Sequence, residues 1–203
     1  MATLKDFFTG QSDGITLKYL IDRYKLTTLI ETGAGKGESL EYCKGHFDKV
    51  LSIEIMPQLV KLCEQKFIND PNVLVMEGTL PDDLGVLLDL FPIRGNCMFF
   101  HDAHFPGADF HYTEYDTYKN EDRMRLPLEG ELQIVRDKRD FSGDVFIIDD
   151  LWLYEEGPFG AGNCTVHEEL RKMGCDFIYK MFEKSHHVWK DYRYQGFLLI
   201  VPK

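Results

Sequence analysis

Short apolar runs punctuate the chain at residues 28–31, 50–53, 73–76, 97–100, 145–148 and 197–201. Each is the length of a strand buried on both faces, and too short for a helix. Between most of them lie segments long enough for helices, such as 57–67 and 81–90. Strands alternating with helices imply right-handed crossovers and a parallel sheet, a doubly wound α/β plan. Ahead of the first run, Ile15, Leu17, Leu20, Ile21 and Tyr24 recur at helical spacing, which predicts a helix over 15–25 beside the sheet. The tail departs from the alternation. Residues 187–190 and 196–201 are joined by a short, turn-prone link, which predicts a terminal antiparallel pair.

The chain has 203 residues, with no repeat, low-complexity tract or Pro/Ser-rich linker, so a single domain over 1–203 is expected, its first 27 residues a leading helical segment. No apolar run approaches the roughly 20 residues that span a bilayer. The opening MATLKDFFTGQSDG lacks a basic stretch followed by an apolar one, so a cytoplasmic setting is expected. Five cysteines at scattered spacings, without a CxxC pair, read as reduced thiols. The net charge of −11 argues against a protein that grips nucleic acid through its phosphates, and fits a small-molecule, sugar or protein partner better. Monomer and homodimer both stay open.

The first strand runs into Glu31-Thr32-Gly33-Ala34-Gly35-Lys36-Gly37, with a helix beginning at Glu38 or Ser39. Such glycines permit positive φ and close approach of a ligand at the sheet edge where open α/β folds bind. The spacing is GxGxG. A dinucleotide fingerprint wants GxGxxG, so a nicotinamide oxidoreductase is disfavoured. Glu54 closes the second strand, where an acid accepts hydrogen bonds from both hydroxyls of a ribose.

This order of strand, E-x-G-x-G-x-G, helix, strand and acid resembles the class I S-adenosylmethionine-dependent methyltransferases over nearly the whole chain. The resemblance implies a Rossmann-like doubly wound, mostly parallel sheet with a C-terminal antiparallel hairpin. It also implies that Glu31, Thr32, Gly33, Gly35, Gly37 and Glu54 hold S-adenosylmethionine. Gly78 and Thr79 follow the third strand where many relatives have Gly-Asp facing the adenine; Thr79 offers only a hydroxyl there.

The fourth strand ends in His101-Asp102-Ala103-His104 and the fifth in Asp149-Asp150, both at the carboxyl edge. Carboxylates converging there would repel one another unless a cation shared them, which is the chemical case for Mg²⁺ or another oxygen-seeking ion. The pattern is similar to that of the metal-dependent O-methyltransferases of catechols and sugars. Carried over, Asp102, Asp149 and Asp150 are the metal ligands, Asp102 also touches cofactor and acceptor, and the ion activates a hydroxyl. His104 is the candidate general base. His101 is expected to face away from it if the strand continues, and the adjacent His186 and His187 read as structural because neighbours on a strand point apart. A narrower resemblance is to small methyltransferase-like proteins that combine E-T-G, D-x-H, Pro-Leu-x-E and I-D-D, here Glu31 to Gly33, Asp102 to His104, Pro127 to Glu131 and Ile148 to Asp150.

Residues 108–125, rich in tyrosine, and 154–165, rich in glycine, are candidate lids. The expected activity is methyl transfer to a hydroxyl of a small molecule or sugar, aided by a divalent metal. The rivals are a metal-independent N- or carboxyl-methyltransferase and a cofactor-binding protein without chemistry.

Overall fold

The structure is a computed structural model that describes residues 2–10, 14–164 and 174–203. The six apolar runs become strands β1 (Leu26–Thr32), β2 (Lys49–Glu54), β3 (Val73–Glu77), β4 (Asn96–His101), β5 (Val145–Ile148) and β7 (Phe197–Pro202). The polar-looking stretch before the last run becomes β6 (His186–Asp191). Among the described residues these form one sheet in the order β3-β2-β1-β4-β5-β7-β6. The first five strands pair in parallel, whereas β7 runs antiparallel to both β5 and β6. The terminal pair is therefore a hairpin whose second strand inserts against β5. The apolar FLLIV run of β7 belongs inside the sheet, and the more polar β6 takes the edge.

Successive side chains on a strand face opposite sides, and the core divides accordingly. Ile30, Ile53, Phe99, Phe146 and Ile200 join Leu84, Leu132 and Ile178 in one layer. These last three belong to α5 (Asp82–Leu90), α7 (Leu128–Lys138) and α8 (Asp176–Phe182). Leu29, Val50, Met98, Ile147 and Leu199 pack on the other face against Phe7, Leu20, Leu40 and Cys63. Those come from α1 (Leu4–Thr9), α2 (Leu17–Tyr24), α3 (Glu38–Cys43) and α4 (Pro57–Lys66). Each such buried side chain contributes about 1.5–3 kcal/mol, so the two layers hold the sheet edge where ligands bind.

Local signals set the helix starts. Thr3 and Asp6 form a reciprocal capping box for α1, the Thr16 hydroxyl accepts the Tyr19 N–H ahead of α2, and Pro57 stands in the first turn of α4. All five cysteines are buried as thiols. No helix among the described residues is long and apolar enough to cross a membrane.

Candidate functional site

In the strand order the chain reverses direction of travel between β1 and β4, and a crevice opens at the carboxyl ends there. The turn after β1 shapes one wall. Gly33, Gly35 and Gly37 take φ of 85°, 51° and 68°, values that only glycine adopts readily. A Cβ on Gly33 would stand 3.1 Å from the Ala103 Cα, so the turn lies directly against the backbone beyond β4. Gly37 caps α3 and takes no part in lining the cavity.

Two acids face this turn. Glu54 accepts the Gly35 N–H on Oε2 and the Met56 N–H on Oε1, each at 2.9 Å, and so ties the β1 turn to the end of β2. Burial raises its pKa, while backbone hydrogen bonds from Met56, Gly35 and Ile55 oppose the shift. Glu31 is buried, and the Ser52 hydroxyl donates to its backbone carbonyl at 2.9 Å. Burial raises its carboxyl pKa well above the ordinary value, with hydrogen bonds from Ser39 and Ser52 acting in opposition. Glu31, Gly33, Gly35, Glu54 and Asp102 all line one cavity of about 280 Å³. Three other expected cofactor residues do not. Thr32 turns its hydroxyl onto Glu131 of α7 at 3.1 Å, because its side chain falls on the opposite face of β1. The Gly78 N–H is bound to the Glu54 carbonyl and the Thr79 N–H to Asp83, which holds this stretch on α5 and leaves Leu80 and Ile55 as the wall.

A second group closes the crevice beyond β4. Donor atoms of Asp102, His104 and Asp150 all lie within 4.8 Å of one another. The His104 Nδ1 is 3.0 Å from the Asp102 backbone carbonyl oxygen, which can only accept, so Nδ1 carries a proton. Nε2 then faces Asp150 Oδ2 at 3.0 Å and Asp109 Oδ2 at 3.3 Å. Burial opposes charge on this imidazole, but Asp150, Asp109 and Asp102 outweigh it and push the pKa up to about 10. Burial raises the pKa of Asp102, Asp149 and Asp150, and mutual repulsion among the carboxylates adds to it. Asp102 Oδ1 is buried with no hydrogen-bond partner among the described residues.

Asp149 stands apart from that converging set. Its Oδ1 accepts the Asp150 N–H at 2.7 Å, and Asp150 adopts φ of 55°, which swings its own side chain toward His104. His101 turns to Glu131, with Nδ1 2.6 Å from Oε2, on the same buried side as Thr32. His186 is buried between Ser185 and the Asp144 carbonyl, and His187 stacks on Trp189, both structural roles.

Several lining residues escape sequence reasoning. Asp109 and Phe110 come from the 108–125 loop, which carries a short 3₁₀ turn and α6 (Asp122–Arg125). The Phe110 ring covers Gly35, with Lys36 5.5 Å above its centre, and Tyr115 donates to Asp109 Oδ1 at 2.6 Å. Asp109 lies seven residues past Asp102, in a stretch without a periodic signal. Within the other loop no described residue lines the cavity; Phe159 packs on Tyr192, Gly160 and Ala161 bind the 192–194 backbone, and residue 165 lies outside the described residues.

No family model matches the chain. No curated protein matches it in sequence either. Solved structures do match in shape. A caffeoyl-CoA O-methyltransferase-like protein from Staphylococcus aureus superposes with a TM-score of 0.59 at 15% identity, over 92% of this chain and 81% of that one. An SAH-bound methyltransferase from Podospora anserina gives 0.57 at 16%, over 91% and 75%. The chain has the class I methyltransferase fold. The precorrin-6y C5,15-methyltransferase of Geobacter metallireducens shares this methyltransferase fold over 96% of the chain and 92% of its own, with a TM-score of 0.51 at 12% identity. In the methyltransferase fold seen here, the glycine turn, the β2 acid and the acid–imidazole group meet at one sheet edge.

Proposed function

We propose that this protein is an S-adenosylmethionine-dependent methyltransferase that methylates a hydroxyl oxygen of a small molecule or sugar with the help of a divalent cation. One observation carries the reading. A cavity cradled by Gly33 and Gly35 and flanked by Glu31 and Glu54 opens directly onto Asp102, His104 and Asp109. The residues lining the cavity suit the methyl donor: Glu31 accepts from its amino group, Glu54 from its ribose hydroxyls, and Ile55, Leu80 and Phe110 bury its aromatic base.

They suit a cation too, because three donor groups converge and one buried carboxylate oxygen there lacks a partner among the described residues. The donor supplies a methyl group made electrophilic by its sulfonium, and the cation supplies Lewis acidity that lowers the pKa of an acceptor hydroxyl. The chain's own part is positioning. Asp102 spans both regions, so it sets the acceptor beside the donor, and the enclosing 108–125 loop keeps water from the reacting atoms. The products are S-adenosylhomocysteine, a methyl ether and the proton released by the acceptor hydroxyl. The acidity of the chain, at −11, favours an uncharged or cationic acceptor over nucleic acid.

Calorimetric titration with S-adenosylmethionine and, separately, NAD, each with Mg²⁺ and with chelator, tests this. Saturable binding of the methyl donor alone supports the reading, and methylation of a catechol or sugar acceptor then defines it. Failure of the donor to bind under every condition overturns it.

A further inference from the structure

We infer that Asp102, His104 and Asp150 form a mixed nitrogen and oxygen site for one first-row transition dication in preference to Mg²⁺, with Asp149 outside the coordination shell. The inference sharpens the cation named above, and rests on the methyltransferase reading only for the use to which the ion is put.

Three observations carry it. First, the imidazole is oriented as a ligand. Its Nδ1 proton is committed to the Asp102 carbonyl at 3.0 Å, and a ligating histidine is ordinarily held by just such a bond from its other nitrogen. Nε2 is thereby directed at Asp150 Oδ2, 3.0 Å away. Two donors each about 2.1 Å from one ion, at a right angle, are themselves about 3.0 Å apart. Second, the Asp102 Oδ1 atom is buried and unpartnered among the described residues, a state that costs free energy unless a cation or donor meets it. Third, Asp150 reaches the group only through a left-handed backbone conformation, φ 55°, while Asp149 turns back to accept the Asp150 N–H.

The donor types then select the ion. Imidazole suits first-row transition ions such as Fe²⁺, Ni²⁺ and Zn²⁺, and carboxylates suit Mn²⁺, whereas Mg²⁺ prefers an all-oxygen shell that retains water. Asp109 sits 3.3 Å from Nε2 and is itself held by Tyr115 at 2.6 Å, so it borders the ion without belonging to the converging three.

The test uses the full chain, stripped with chelator and dialysed, with Mn²⁺ as the probe and no methyl donor present. Electron paramagnetic resonance counts free Mn²⁺, and spin-echo modulation reports whether a nitrogen is directly bonded to the bound ion. The expected result is one Mn²⁺ per chain with directly bonded nitrogen, and Mg²⁺ competing about tenfold more weakly or worse. His104→Gln should abolish the nitrogen signal and lower Mn²⁺ affinity about tenfold. No stoichiometric Mn²⁺ binding, or bound Mn²⁺ without nitrogen coupling in the unaltered protein, overturns the inference even if the variant fails to fold. Coupling that persists in His104→Gln overturns it as well. Donor binding measured with chelator present separates the two proposals: donor without Mn²⁺ sinks only this one, and Mn²⁺ without donor sinks only the methyltransferase reading.

Discussion

Glu54 clamps the glycine turn: its Oε2 accepts the Gly35 N–H at 2.9 Å while its Oε1 accepts that of Met56. The acid that faces the cavity is therefore also the residue that shapes it. Glu54→Ala removes these charge-assisted bonds within the protein as well as those proposed to a ribose. Such bonds are each worth about 1.5–3 kcal/mol, so donor affinity should fall about 10- to 100-fold. Calorimetry that shows less than a threefold change would mean that the carboxylate faces no ligand.

The glycines of the turn are unequal. A Cβ on Gly33 meets backbone at Ala103, which cannot yield, whereas one on Gly35 meets the tip of the Phe110 ring at 2.8 Å, which can swing aside. With left-handed strain of about 1–2 kcal/mol common to both and overpacking added at Gly33, Gly33→Ala should destabilise by about 2–4 kcal/mol and Gly35→Ala by about 1–2 kcal/mol. Urea unfolding of the two variants gives the ranking directly.

Leu80, and not Thr79, lines the crevice. Thr79→Ala should leave donor affinity within about twofold, while Leu80→Ala lowers it about fivefold through lost apolar contact. The reverse order would place the base of the donor against the β3 loop instead.

Beneath the site, His101 Nδ1 lies 2.6 Å from Glu131 Oε2, and Thr32 donates to the same oxygen at 3.1 Å, all three residues buried. Glu131→Ala strands both partners and should cost about 3–5 kcal/mol. Glu131→Gln keeps an acceptor for them and should cost far less, which thermal unfolding of the pair will show.

Glu31 makes stability depend on pH. Its pKa is raised in the folded chain, chiefly by burial, so the unfolded chain releases that proton first. Stability is then lost as pH rises from the ordinary carboxyl range toward the folded pKa. Glu31→Gln removes the loss: its Tm should match the parent near pH 4, exceed it at pH 8, and come with weaker donor binding. A variant less stable than the parent at pH 8 would show that the carboxylate is stabilised in place.

The sheet was legible along the chain because strands buried on both faces must be continuously apolar, as in 50–53 and 145–148. The glycine turn was legible for a comparable reason: positive φ at Gly33, Gly35 and Gly37 is a local demand that one residue type meets. Order along the chain also brought Glu31, Glu54, Asp102 and Asp150 to one edge, since every parallel strand ends on the same side. Helix α1 was legible only as part of a helical segment, being six residues long with no apolar period to detect. The insertion of β7 between β5 and β6 depends on pairing between strands far apart in sequence. Which of Asp149 and Asp150 meets His104 turns on one backbone angle, and Asp109 and Phe110 arrive from a loop without periodicity. Residue type and spacing thus specify where strands end and which groups gather there. The direction each side chain points is set by φ, by hydrogen bonds and by neighbours from distant segments, and those exist only once the chain has packed.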